Sequence, residues 1–176
     1  MKKLIILFGI LSGLLSYAQV NWQSWDEAAA LQNEQSKKIL VFFYTQGCKS
    51  CAVMEREALN HPVISSLINK KYYAVKIDAE QKQPITAFGR TFNNTGLQNG
   101  QRQSLHDFTK YMNISATPAL VFMDEKMEPV TNLQGEFTAG EIEPYLQFIG
   151  TNEYKKVTSR EQWETYRKKF KTKLRD

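Results

Sequence analysis

The chain has 176 residues, 42% hydrophobic and 23% charged, with a formal net charge of +5, two cysteines and two histidines. That length and balance are those of one globular domain with a substantial core, and they leave out a chain too polar to fold. The charge shrinks further once the N-terminus is read.

Met1-Lys2-Lys3 is a basic start, Leu4 to Leu15 is mostly apolar, and Ser16-Tyr17-Ala18 places small residues where a signal peptidase reads. Residues 1–18 are therefore predicted to be a secretory signal peptide cut after Ala18. The apolar run is short for a membrane span, so an uncleaved anchor is the weaker alternative. Loss of Lys2 and Lys3 takes the formal charge from +5 to +3. A mildly basic exported chain, periplasmic or secreted, gives no reason to expect a nucleic-acid partner, and outside the cytosol a cysteine pair can stay oxidised. The mature chain divides into a domain over 19–150 and a tail over 151–176.

In chain order, Gln19 to Gln23 is a lead-in. Ser24, followed three residues later by Glu27, forms a capping box for a helix over Trp25 to Gln35. Ile39 to Tyr44 is an unbroken aliphatic and aromatic run that predicts a buried strand, and Gly47 ends it. Helix formers follow from Cys48, until Asn60-His61-Pro62 breaks the pattern. Val63, Ile64, Leu67 and Ile68 recur at helical spacing, and Tyr72 to Ile77 predicts a second strand ending at Asp78. This alternation indicates an α/β fold with neighbouring strands parallel.

Residues 79–103 are polar and turn-forming, and are expected to be a solvated insertion that Phe88 and Phe92 dock on the body; a lid or partner-selecting loop is the alternative. Ser104 with Asp107 is expected to cap a helix carrying Leu105, Phe108, Tyr111 and Met112. Pro118 opens a third strand running to Asp124, Val130 to Leu133 reads as its edge partner, and Thr138 to Glu141 opens another helix. In the tail, Thr158 with Glu161 forms a capping box, and Trp163, Tyr166 and Phe170 share a face. Glu153 to Asp176 carries nine Lys or Arg against four acids. Aromatics confined to one helical stripe favour packing on the parent domain, with the charges solvated, over binding to nucleic acid or anionic lipid.

The chemistry concentrates at Cys48-Lys49-Ser50-Cys51. Cys48 stands where a helix begins, where free N–H groups and the helix dipole stabilise a thiolate, and Lys49 adds positive charge beside it. Cys48 is thus the candidate nucleophile in disulfide exchange. Cys51, three residues on, nearly on the same face and more buried, suits the resolving role. A bridge across two residues constrains little of the unfolded chain, so a structural staple explains the pair poorly.

With these residues placed, the sequence from about Trp25 to Ile149 resembles the thioredoxin superfamily. Phe42 to Glu55 around the Cys-x-x-Cys, Val75-Lys76-Ile77-Asp78, and Tyr111 to Asp124 around Thr117-Pro118 are most similar to the exported thioredoxin-like subgroup, which includes the C-terminal domain of transmembrane thiol:disulfide interchange reductases. The resemblance implies a thioredoxin-like α/β fold: a central mixed β-sheet flanked by helices, with an insertion before the cis-proline helix and a C-terminal helical extension. It implies a thiol:disulfide oxidoreductase with no cofactor beyond the redox-active Cys48–Cys51 pair, working on protein thiols or disulfides, supplied by a membrane electron donor, and monomeric. Reduction or isomerisation is favoured over net oxidation from that subgroup. Pro118 is implied to be cis and to shape the site, and the backbone of Thr117 to hold the substrate segment.

The sequence departs from the pattern at three places. Lys49-Ser50 replaces Gly-Pro, Gly47 replaces the usual tryptophan, and Phe42 stands where the family carries a buried aspartate that accepts the resolving thiol's proton. Glu55, one turn after Cys51, is the nearest substitute in sequence, and is expected to be a surface carboxylate. Two other functions compete. One is a copper- or zinc-binding module using both thiols, although His61 and His106 lie at no recognised ligand spacing from them. The other is a partner-binding domain whose cysteines are incidental.

Overall fold

The computed structural model describes residues 19–174; the expected signal peptide lies outside the described residues. Five strands form one sheet in the order β1 (Trp22–Gln23), β3 (Tyr72–Asp78), β2 (Lys38–Tyr44), β6 (Ala119–Met123), β7 (Pro129–Gln134). The first three are parallel, while β6 runs antiparallel to β2 and β7 antiparallel to β6. The sheet is mixed, as the resemblance implied. Helices α1 (Trp25–Glu34), α2 (Lys49–Val53), α3 (Pro62–Lys71), α5 (Asp107–Tyr111) and α6 (Ala139–Gly150) flank it, and a π-helical turn, Met54–Leu59, continues α2.

Alternation along β2 explains why this strand is central. Leu40 and Phe42 point into a core shared with α2, α3 and α6, while Ile39, Val41 and Phe43 point into a second core beneath α1 and α5. All five are fully buried. β6 splits the same way, with Leu120 and Phe122 on the first face and Ala119, Val121 and Met123 on the second. A strand covered on both faces reads as a continuous apolar run, which is how Ile39 to Phe43 reads.

Four local expectations change. The lead-in contributes the edge strand β1, paired with Ala74 and Val75; two residues carry no period to read. The stretch after β3 is folded rather than a loose solvated loop: β4 (Ile85–Ala87) and β5 (Arg90–Phe92) form a hairpin, followed by α4 (Thr95–Gln98). Its hub is the buried Asn94, whose Nδ2 donates to the carbonyls of Ser104 (2.7 Å), Glu80 and Gln81 (3.3 Å each). Gly96 is obligatory there, since a Cβ would fall 2.1 Å from Ser104 Oγ. The hairpin turns on Phe88 and Gly89, both with positive φ, and the Phe88 ring stacks on Phe108 and leans on Tyr111.

The cap of α5 is His106, not Ser104, because the Ser104 carbonyl is committed to Asn94 and the chain stays extended for two more residues. Likewise Ser159, not Thr158, caps α7 (Arg160–Lys169), its Oγ accepting from the Gln162 amide at 3.3 Å. The 3₁₀ turn Glu153–Lys156 leads into α7, whose Trp163 and Tyr166 pack on Tyr145 and Phe148 of α6 at centroid distances of 4.6 to 4.8 Å. The tail is pinned a second time: the fully buried Glu143 carboxylate accepts from the Lys173 amide at 2.9 Å and from the Thr172 hydroxyl.

Candidate active site

Gly47, at φ +73°, turns the chain out of β2 so that Cys48 becomes the N-cap of α2. Cys48 Sγ accepts a hydrogen bond from the Cys51 amide at 3.1 Å, the geometry by which a helix start stabilises negative charge on sulfur. Ser50 Oγ lies 3.4 Å from the same sulfur. The two cysteines are joined as a disulfide, S–S 2.03 Å. Cys48 is half-exposed and Cys51 buried, the asymmetry an attacking and a resolving thiol require. Lys49 is exposed beside them.

The Thr117–Pro118 peptide is cis and lies against this helix start. Thr117 Oγ1 donates toward Cys48 Sγ at 4.0 Å and is 3.1 Å from Thr45 Oγ1. The Pro118 carbonyl accepts from the Gly135 amide at 2.8 Å, fixing the segment after β7 to the proline loop. The structure thus brings Cys48, Cys51, Thr117 and Pro118 into one site, with Lys49 at its rim. Thr45 and Ser50, whose hydroxyls approach Thr117 and Cys48, were not anticipated; single hydroxyl residues in a turn carry no signal of their own.

In the core that also holds Cys51, Phe42 is fully buried and stacks with Trp22 and Tyr44. Glu55 differs from the expected surface carboxylate: it is 24% exposed and held by Lys76 Nζ at 2.6 and 2.7 Å. Lys76 reaches it from β3 across the Tyr44 ring, 4.7 Å from its centroid. Lys76 is the register partner of Phe42 on the neighbouring strand, and its long stem spans from the sheet to the helix. Lys76 also lines a polar cleft of about 620 Å³ between the strand ends and the 79–103 insertion.

Both histidines are engaged as helix caps. His61 Nδ1 accepts from the Val63 amide at 3.3 Å and His106 Nδ1 from the Phe108 amide at 3.1 Å. Among the described residues no three His, Cys, Asp or Glu side chains gather at metal-binding geometry.

A thioredoxin-like domain model matches residues 25–150. Among solved structures, a thioredoxin-fold protein from Helicobacter pylori is 17% identical, covering 76% of this chain and 83% of its own, with a TM-score of 0.56. A thioredoxin from Thermus thermophilus is 20% identical over 75% and 88%, TM-score 0.55. The oxidoreductase DsbH is 18% identical over 76% and 86%, TM-score 0.55. No curated protein matches in sequence. Identities this low speak to the fold, while the family match spans most of the chain and includes the cysteine helix and the cis-proline strand. The chain belongs to the thioredoxin-like domain family, with a Cys48–Cys51 pair set in that fold.

Proposed function

We propose that this protein is an exported thiol:disulfide oxidoreductase acting on protein substrates, in the direction of reduction or isomerisation. The observation that carries the reading is the placement of Cys48 Sγ: half-exposed, at a helix start, accepting the Cys51 amide and facing Thr117 and the cis Pro118.

In reduction, the Cys48 thiolate attacks one sulfur of a partner disulfide, and the other partner sulfur leaves as a thiolate. The Cys51 thiol gives up its proton and attacks Cys48 Sγ, the mixed disulfide breaks, and the second partner thiolate leaves. The partner gains two electrons and the pair ends as the disulfide seen here. A membrane-borne dithiol donor is the proposed source of electrons for the return. The predicted signal peptide over 1–18 supports export, and the subgroup resemblance supports the direction. The two histidines, already accepting backbone amides, offer no support to a metal-binding reading.

The test is to express the full chain with Cys51→Ser in an exporting host and separate its disulfide-linked complexes under non-reducing conditions. Mixed disulfides through Cys48, absent when Cys48→Ser is added, are expected. A Cys51→Ser protein that captures no exported partner would count against the reading.

A further inference from the structure

Starting two residues beyond Cys51, a groove of about 230 Å³ runs between the continuation of the cysteine helix and the segment after Gly135. One wall continues the cysteine helix, with Val53, the buried Met54 and Glu57; the other is Glu136 and Phe137, directly after the Gly135–Pro118 hydrogen bond. Its floor is apolar and its two charged lining residues are both carboxylates. Glu136 is exposed and makes no ion pair among the described residues. Glu57 pairs only with Arg56, the adjacent residue, and the two are 64% and 67% exposed. Such a pair holds its carboxylate weakly against a better-placed cation. Without Lys2 and Lys3 the formal charge is +3, so two carboxylates over an apolar floor run against the net charge of the exported chain.

We propose that this groove is the subsite that reads the partner segment beside the reacting cysteine, and that it takes a Lys or Arg side chain. The inference rests on the exchange reading above and adds the substrate class. Long basic side chains match both parts of the groove: an aliphatic stem for the half-buried Val53 and Phe137, and a cationic head for Glu57 and Glu136. Reach agrees as well. Counting 1.5 Å per helical residue, Val53 lies about 7.5 Å beyond Cys48, and Glu57, on the π-helical turn, at most about 13.5 Å. An extended partner advancing about 3.3 Å per residue covers that span in two to four residues from its cysteine. Lys49 lies at the opposite, N-terminal end of the helix and faces every substrate alike, so it does not produce a preference at these positions.

The test uses pre-reduced full-length protein and three peptide disulfides differing only two to four residues from one cysteine: Lys/Arg, Ala or Glu. Single-turnover rate constants are measured at low and high salt. The Lys/Arg peptide is expected to react roughly fivefold faster than the Glu peptide at low salt, the worth of one or two exposed charge pairs. That ratio falls toward one at high salt and in Glu57→Gln/Glu136→Gln, and inverts in Glu57→Lys/Glu136→Lys. Equal constants for the wild type, with the Ala peptide still reduced, overturn the subsite and leave the exchange function standing. A preference that survives in the Gln double variant likewise overturns it. Failure to reduce any of the three peptides defeats the exchange reading and the subsite with it.

Discussion

Lys76 Nζ closes on both carboxylate oxygens of Glu55 at 2.6 and 2.7 Å, one helical turn beyond Cys51. In the resemblance a buried aspartate serves the resolving thiol; Phe42 stands at that position here, and Glu55, four residues after Cys51, is the nearest carboxylate in sequence. A carboxylate near a thiol disfavours the thiolate and an ammonium favours it, so the two partners have opposite effects when removed singly. Glu55→Gln is expected to lower the pH midpoint for alkylation of Cys51 in the reduced protein, and Lys76→Met to raise it. Opposite signs are the expected result, and both groups, about one quarter exposed, act partly screened by solvent. Shifts of the same sign in both variants would remove the pair from the chemistry.

Thr117 joins the proline loop to the cysteine helix through Oγ1, shared with Thr45 at 3.1 Å and directed at Cys48 Sγ at 4.0 Å. Thr117→Val keeps the shape and deletes the hydroxyl. The expected result is a stability loss of about 1 kcal/mol, a typical net hydrogen bond, with a few-fold slower exchange. Denaturant midpoints and single-turnover rates measure the two effects separately.

His106 is fully buried, its Nδ1 accepts the Phe108 amide, and its Nε2 has no hydrogen-bond partner among the described residues. Burial holds its pKa below the ordinary imidazole value; the Asp107 carboxylate and the Gln83 backbone oppose that shift, and the Lys110 ammonium assists it. The unfolded chain therefore takes up this proton first. The stability contributed by neutral His106 is complete above about pH 6.5 and is lost as pH falls toward the lowered folded value. His106→Asn keeps a good capping residue and removes the titration. Between pH 7 and 5 the wild type is expected to lose more stability than the variant, by denaturant titration; parallel profiles would assign the acid sensitivity elsewhere.

The C-terminal tail is held by the rings of Trp163 and Tyr166 and by Glu143, which binds Thr172 and Lys173. Trp163→Ala is expected to cost about 1–3 kcal/mol, less than a fully buried tryptophan because its site is partly open. Hydrogen exchange in 160–169 should rise with it. Unchanged protection there would mean that α7 does not depend on this contact.

What the sequence displayed and what it concealed divide along physical lines. Ile39 to Phe43 announces a central strand because both faces are buried, and Cys48-x-x-Cys51 after Gly47 announces a helix start because few other placements suit that spacing. The Ser24 and Thr138 caps were legible because each bonds residues three apart. Lys76 was not, since its role depends on a carboxylate 21 residues away on another element. The fold of the 79–103 insertion was hidden because its hub, Asn94, works by donating to three distant carbonyls, which leaves no periodicity. His106 displaced Ser104 as the cap for the same reason: the Ser104 carbonyl was already committed to Asn94.

The most direct test of the account is the reduction potential of the Cys48–Cys51 pair, obtained by equilibrating the protein in a glutathione buffer and quantifying free thiols. A reductase or isomerase pair is expected between about −270 mV, as in thioredoxin, and about −180 mV, as in protein disulfide isomerase. A value near −120 mV would reverse the direction to oxidation. A value below about −300 mV, the range of inert structural bridges, would contradict the claim that this disulfide exchanges at all.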